Sequence, residues 1–286
     1  MYRKVFAAAS FVVLCMIWQI PAQAQSWTQV PGTLVQISVG GTHTNGPHVW
    51  GVNSAQLVYE YNDNGGWIQT PGSLVQIAVA SDDRVIGVNA SQQVYYFSRG
   101  QRAWIILPGF SATKIYAGAR DVVWGINPTG GVERYDPGTG GLDTFTINLT
   151  QLSVSSDGSV WGLDPSGDVF YLDQQSQQFV QVSGATLSQI AVGFGGAVFG
   201  INSAGKVYEW DNATQVFFQI PGALTQIAVG SNNAVYGINS SQQIYQYNVT
   251  GGFWTQLPGF LTQISVATDG TVWGLNSVGN IYYFTP

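Results

Sequence analysis

The sequence predicts an all-β chain closed into a seven-bladed β-propeller, and three observations carry that prediction. A short signature, aromatic-Gly-aliphatic-Asn, recurs at a period near 37 residues, and each period spells four short strands. The chain ends on a third-strand sequence, while residues 26–31 hold a fourth-strand sequence with no unit of its own. Four-stranded units that repeat and complete one another end to end close radially into a propeller.

The leader comes first. Arg3 and Lys4 form a short basic region, Val5 to Trp18 an apolar stretch, Pro21 breaks it, and Ala22-Gln23-Ala24 offers small residues on either side of a glutamine. This pattern reads as a secretory signal peptide over residues 1–24, leaving 25–286 as the propeller and the mature chain secreted, in the extracellular space. The competing reading is an uncleaved anchor, but its 14 apolar residues fall short of the ~20 a membrane-crossing helix needs. No transmembrane anchor is expected in the mature form. Cys15 is the only cysteine and lies in the leader, so neither disulfides nor thiolate chemistry are available beyond it.

The signature then runs through the chain as Trp50-Gly-Val-Asn53, Trp124-Gly-Ile-Asn127, Phe199-Gly-Ile-Asn202, Tyr236-Gly-Ile-Asn239 and Trp273-Gly-Leu-Asn276, with Ile86-Gly-Val-Asn89 and Trp161-Gly-Leu-Asp164 as variants. Its glycines, 51, 87, 125, 162, 200, 237 and 274, are spaced 36 to 38 residues apart. In the sixth copy the strands are Leu224 to Gly230, Ala234 to Asn239, Gln243 to Asn248 and Phe253 to Pro258, rich in Val, Ile, Tyr and Trp and separated by turn-forming Ser, Asn, Thr and Gly. Pro-Gly at 31–32, 71–72, 108–109, 221–222 and 258–259 is expected to end the sheet after the fourth strand, because proline lacks the ladder donor. The closing Gly279 to Phe284 takes Ser26 to Pro31 as its partner, a clasp that joins the two ends.

Composition limits function. Charged residues make up only 8% of the chain, against about a quarter in an average domain. Beyond the leader 7 basic residues face 15 acidic ones, and no basic run offsets them, which argues against nucleic-acid partners. Catalytic sets are missing. There is no Gly-x-Ser-x-Gly elbow and no phosphate-binding loop. His43 and His48, the only histidines, share a glycine-rich loop that holds no carboxylate, so they read as solvated loop residues before they read as a metal site or a base. Asp82-Asp83 reads as a solvated turn before a catalytic carboxylate pair, and Asp157 and Asp269, in the same loop of other copies, as turn residues before calcium ligands. The expectation is a protein without enzymatic activity, cofactor or metal.

The copies, such as Trp254-Thr-Gln-Leu-Pro-Gly followed by Val272-Trp-Gly-Leu-Asn276, resemble the tectonin repeat of tectonins, tachylectin-1 and fish-egg lectins. The resemblance spans the mature chain and implies a propeller lectin of innate defence that recognises surface glycans, microbial or O-methylated sugars among them. The best-known members have six repeats and this chain has seven, so site number and spacing do not transfer.

A sugar site needs an aromatic platform beside amide or carboxylate groups. The candidates are Trp50, Trp124, Trp161, Phe199, Tyr236 and Trp273, with Asn53, Asn127, Asp164, Asn202, Asn239 and Asn276 as polar partners. Trp27, Trp67, Trp104, Phe179, Phe217 and Trp254 open the fourth strands, and Gln36, Gln76, Gln189, Gln226 and Gln263 recur in the first. Each set also has a structural reading: rings packed between wedge-shaped blades, Asx-turns at the Asn, and Gln bonded to neighbouring backbone. Sequons at Asn89, Asn148, Asn212, Asn239 and Asn248 would allow glycosylation in a eukaryotic host. The resulting expectation is a secreted multivalent lectin. The alternative is a protein-interaction or cell-surface scaffold.

Overall fold

The computed structural model describes residues 26–43, 46–62, 64–118, 122–230, 234–267 and 269–285. The expected leader at 1–24 lies outside them. Among the described residues every regular element is a strand, and the strands form seven four-stranded antiparallel sheets. Among the described residues no helix is long and apolar enough to cross a membrane.

Blades 1 to 6 begin at Gln36, Gln76, Lys114, Gln151, Gln189 and Gln226, each sheet ordered by sequence from the innermost strand outward. Blade 7 takes Gln263–Val266, Val272–Leu275 and Asn280–Phe284 from the end of the chain and Thr28–Thr33 from its start. The N-terminal strand pairs antiparallel through Thr28↔Tyr283, Gln29↔Tyr282 and Val30↔Ile281, so the expected clasp is present.

The signature glycine has a steric cause. In blade 6, Gly237 pairs with Ile227 on one side and Tyr245 on the other. Leu224, which leads into the blade, lies directly over it: a Cβ at Gly237 would sit 2.3 Å from Leu224 Cδ1. The same lock joins Leu34 to Gly51, Leu74 to Gly87, Leu149 to Gly162, Leu187 to Gly200 and Leu261 to Gly274. Blade 3 has Ala112 where the others have leucine, and the Phe110 ring fills the space over Gly125. In blades 2 to 7 the second strand is therefore buried along its whole length rather than alternating, because both its faces are covered by neighbouring blades.

Pro-Gly does not end the sheet, contrary to the sequence-based expectation. It forms a bulge inside the fourth strand: in blade 7 the register jumps from Val30↔Ile281 to Thr33↔Asn280 and pairing then resumes. Gly32 and Gly222 adopt φ of +117° and +124°, and the head tryptophan of the next blade lies against each, Trp67 on Gly32 and Trp254 on Gly222. A side chain at either position would meet both the backbone strain and the indole.

Gly237→Ala is expected to destabilise the protein by about 1–3 kcal/mol through overpacking. Combined with Leu224→Ala, the total loss should be smaller than the sum of the two single losses, as read from denaturant midpoints.

Candidate functional site

The aromatic set proposed as sugar platforms is buried. Trp50 and Tyr236 are 0% exposed, Phe199 1%, Trp124 2%, Trp273 3% and Trp161 7%. Each ring instead crosses a seam and packs on the next blade. Trp50 meets Phe97 at 4.8 Å, Trp161 meets Trp210 at 5.1 Å, Phe199 meets Tyr247 at 5.9 Å and Tyr236 meets Phe284 at 6.4 Å between centroids. Trp124 reaches Phe179 at 6.3 Å, and Trp273 of blade 7 closes the ring on Tyr61 of blade 1 at 4.9 Å. The platform role is thus corrected to inter-blade packing: a wedge-shaped seam that widens outward must be filled by large side chains, and filling it hides their faces. Where blade 2 has Ile86 in place of the ring, Phe110 and Tyr135 stack at 5.5 Å across that seam.

The polar partners are likewise spent on structure. Asn53 Oδ1 accepts the amides of Ala55 and Leu57, and Asp164 Oδ1 those of Ser166 and Asp168. Asn127, Asn202, Asn239 and Asn276 make the same Asx-turns, as does Asn89. The glutamines clamp the seams. Gln36 Nε2 donates to Ile77 O at 2.8 Å while its Oε1 accepts the Ile77 amide at 2.9 Å. Gln76 does this to Ile115, Gln189 to Ile227 and Gln226 to Ile264, and Gln263 Oε1 accepts the Ile37 amide across the closing seam. Gln151 belongs to the set and clamps Ile190, although sequence reading omitted it. Blade 3 alone differs: Lys114 Nζ donates to Thr150 O, and the Tyr116 phenol is hydrogen-bonded to the Leu152 backbone.

What remains open are grooves between blades, on the face that carries the first-to-second and third-to-fourth strand loops. The seam between blades 4 and 5 holds a cavity of about 290 Å³. Trp161, Tyr171 and Trp210 wall it, and Asp173, Gln174, Asn212 and Gln215 form its rim. Tyr171 lies 5.4 Å from Trp161 and is half-buried, so its ring, unlike the signature rings, keeps exposed surface. Asn212 Oδ1 accepts the Trp210 indole N–H, which fixes that wall. Asp173 Oδ1 accepts the amides of Gln175 and Ser176, and these bonds, that of Ser176 foremost, hold its carboxyl below the usual carboxylate range. Gln174 and Gln215 each commit one amide N–H, to Gly158 O and Asn212 O. The rim therefore sets the Asp173 carboxylate and two glutamine Oε1 atoms beside the remaining glutamine N–H groups, which suits a ligand rich in hydroxyls, while the carboxylate repels anions.

Sequence reading singled out Trp161 but missed Tyr171, Trp210, Gln174 and Gln215. A signal existed: the fourth residue of the third strand varies from blade to blade as Glu60, Tyr96, Arg134, Tyr171, Glu209, Gln246 and Tyr283, within otherwise uniform repeats. That position decides each groove. Between blades 1 and 2, Glu60 is bridged by Arg99 at 2.9 Å and Arg102 at 3.0 Å. Between blades 3 and 4, Arg134 bonds Asp143 and Gln177 and lies 5.6 Å over the Trp124 ring. Between blades 5 and 6, burial raises the pKa of the Glu209 carboxyl, and a hydrogen bond from Tyr247 partly offsets it.

The histidine segment is a hairpin rather than a loop, with Gln36–His43 paired to Gly46–Val52. His48 Nδ1 lies 3.4 Å from Asp83 of blade 2 and contacts Arg99, so the carboxylate absent from the loop comes from another repeat. The side chain of His43 lies outside the described residues. Asp157 and Asp269 accept the amides of Ser159 and Thr271 within their own turns. Among the described residues no three His, Cys, Asp or Glu side chains cluster as a metal site would require. Of the sequon asparagines, Asn148, Asn212 and Asn248 are exposed, while Asn89 and Asn239 are half-buried in their turns.

Three outcomes follow. Gln189→Met should cost about 1–3 kcal/mol by leaving the Ile227 amide and carbonyl without their clamp, measured by urea unfolding. Trp273→Ala should cost about 3–5 kcal/mol in the same assay. Asp136, Asp173 and Asp211, each hydrogen-bonded in its own hairpin, have lowered folded pKa values. Their stabilisation is present above the ordinary carboxylate pKa of about 3.9 and is lost as pH falls through the lower folded values, so urea midpoints should drop from pH 5 to pH 3.

Comparison with known proteins places the chain. The tectonin domain family model matches residues 12–101, 95–248 and 148–286. No curated protein matches it in sequence. Among solved structures it is similar to "YCF48 bound to D1 peptide", at 14% identity and TM-score 0.69, covering 93% of this chain and 97% of that one. It is also similar to YCF48 from Cyanidioschyzon merolae, at 14% identity and TM-score 0.69, covering 91% and 98%. A chain of a mitotic checkpoint complex matches at 13% identity and TM-score 0.70, covering 100% and 98%. At these identities the structural likeness concerns the fold alone. With its family model spanning the described propeller, this chain belongs to the tectonin domain family.

Proposed function

We propose that the protein is a secreted, non-enzymatic carbohydrate-binding protein that holds surface glycans in the grooves between its blades. The observation that carries this reading is the groove between blades 4 and 5, which sets half-exposed aromatic surface beside a rim of carboxylate and carboxamide groups. A pyranose matches both, since its C–H face covers a ring while its hydroxyls donate to Asp173, Gln174 and Gln215. The grooves are not copies of one another, because arginine bridges occupy those between blades 1 and 2 and between blades 3 and 4. Multivalency then rests on the remaining seams and on the density of the target surface. The Asp173 carboxylate on the rim favours neutral glycans over sialylated or sulfated ones.

A glycan array probed with the chain should return neutral glycans. Tyr171→Ala and Gln215→Ala should each weaken binding about tenfold while leaving the melting temperature nearly unchanged. Array silence, or variants that bind as well as the parent, would remove the assignment.

A second reading, a protein-interaction propeller, is favoured by the opposite face. There a cavity of about 680 Å³ opens at the seam of blades 7 and 1, beside Val35 at 61% and Val278 at 70% exposure. Stoichiometric recovery of one protein in a pull-down, lost in Val278→Asp, would favour this reading.

A further inference from the structure

The hairpins joining third to fourth strands in blades 2 and 6 correspond residue by residue. Phe97 pairs with Trp104 and Tyr247 with Trp254, and equal numbers of residues lie between them. Arg99 therefore corresponds to Val249, and Arg102 to Gly252. The backbone agrees: Arg102 has φ of +51° and Gly252 of +70°, and Gln177 and Gln215 hold the same position in blades 4 and 5 at +55° and +58°. In the seam between blades 1 and 2, Arg99 and Arg102 both bridge Glu60. The Arg102 guanidinium also lies 5.7 Å from the centroid of the Phe97 ring. A cation is thus held between a carboxylate on one wall and an aromatic ring on the other.

The seam between blades 5 and 6 repeats both walls without the cation. Glu209 takes the place of Glu60, paired in register with Phe199 on one side and Phe218 on the other. Tyr247 and Trp254 face it from blade 6, their ring centroids 4.8 Å apart. The Tyr247 hydroxyl bonds to Glu209, and the Trp254 indole N–H is fixed by Pro221 O at 2.7 Å. Phe218 is 44% exposed, so its wall stays open. Val249 and Gly252 stand where blade 2 has its two arginines. Among the described residues no Lys, Arg or His lies within ion-pair distance of Glu209, while Asp211 adds negative charge beside it. Lys206, the one basic residue of blades 4 to 7, extends from the opposite face of the same strand.

We propose that the groove between blades 5 and 6 binds a guanidinium group supplied by another molecule, seated between Glu209 and the Tyr247 and Trp254 rings as Arg102 is seated between Glu60 and Phe97. A guanidinium is planar, stacks on aromatic faces and offers paired donors to a carboxylate, which a rounded ammonium does not. The site is separate from the groove between blades 4 and 5 and does not depend on the carbohydrate reading.

N-acetyl-L-arginine methylamide is the probe, and its citrulline counterpart, uncharged and of nearly the same shape, is the control. In a nuclear magnetic resonance titration at constant ionic strength, the Trp254 indole N–H signal should shift saturably with the arginine probe. The expected Kd is on the order of millimolar, and citrulline should leave the signal in place. Methylguanidinium, run alongside, identifies the source. Tighter binding of the capped arginine marks a polypeptide side chain and equal binding a free guanidine, and either supports the site. Glu209→Gln should lose the shift. Gly252→Arg should lose it too, because the new side chain occupies the groove itself; a Cβ at Gly252 meets no atom within 4 Å. Gly252→Gln, which adopts the backbone of Gln177 and Gln215, should keep the response and so separates occupancy from strain. Silence toward the arginine probe, an equal shift with citrulline, or a full response in Glu209→Gln or Gly252→Arg would overturn the proposal.

Discussion

Closure of the ring depends on a carboxamide that reaches across six of the seven seams. The first-strand glutamine both donates to and accepts from one residue of the neighbouring blade, so it extends β-pairing from one sheet toward the next. The apolar surface that fills most of each seam sets distance but not register. With the clamp in place, the aromatic residue of the second strand meets the same partner in each neighbouring blade, and the seam outside it fills with rings. Blade 3 reaches a similar result with Lys114 and Tyr116, dividing between two side chains what one glutamine does elsewhere.

Most of the fold was legible because repetition and strand chemistry point the same way. Seven signature glycines at even spacing give the blade number, and the fourth-strand sequence at Trp27 gives the clasp. The Asx-turn and clamp roles of Asn53 and Gln36 were readable as alternatives, since those side chains favour backbone partners wherever they recur beside turns and strand edges. Pro-Gly misled because proline usually marks a sheet edge. Here the bulge absorbs it, and the following glycine makes room for an indole.

The binding grooves were harder to read, for a physical reason. Residues that repeat in every blade serve contacts that exist in every blade, and those are packing contacts. Trp50 and Trp273 recur because each seam needs filling, so recurrence marks burial rather than recognition. Ligand chemistry sits where the repeats disagree. Tyr171 leaves a groove open, Arg134 occupies another, and Glu60 is covered by two guanidinium groups.

The clasp also has a consequence for the order of events during folding. The bond from Ile37 N–H to Gln263 Oε1 joins positions 226 residues apart, and the strand beginning at Thr28 has no sheet to enter until the final residues are present. Blades 1 to 6 can form as neighbours in sequence, but a partly synthesised chain is an open arc with a bare strand edge at either end. Locking the first strand into the last blade makes the arrival of Asn280–Phe284 the event that removes both edges at once.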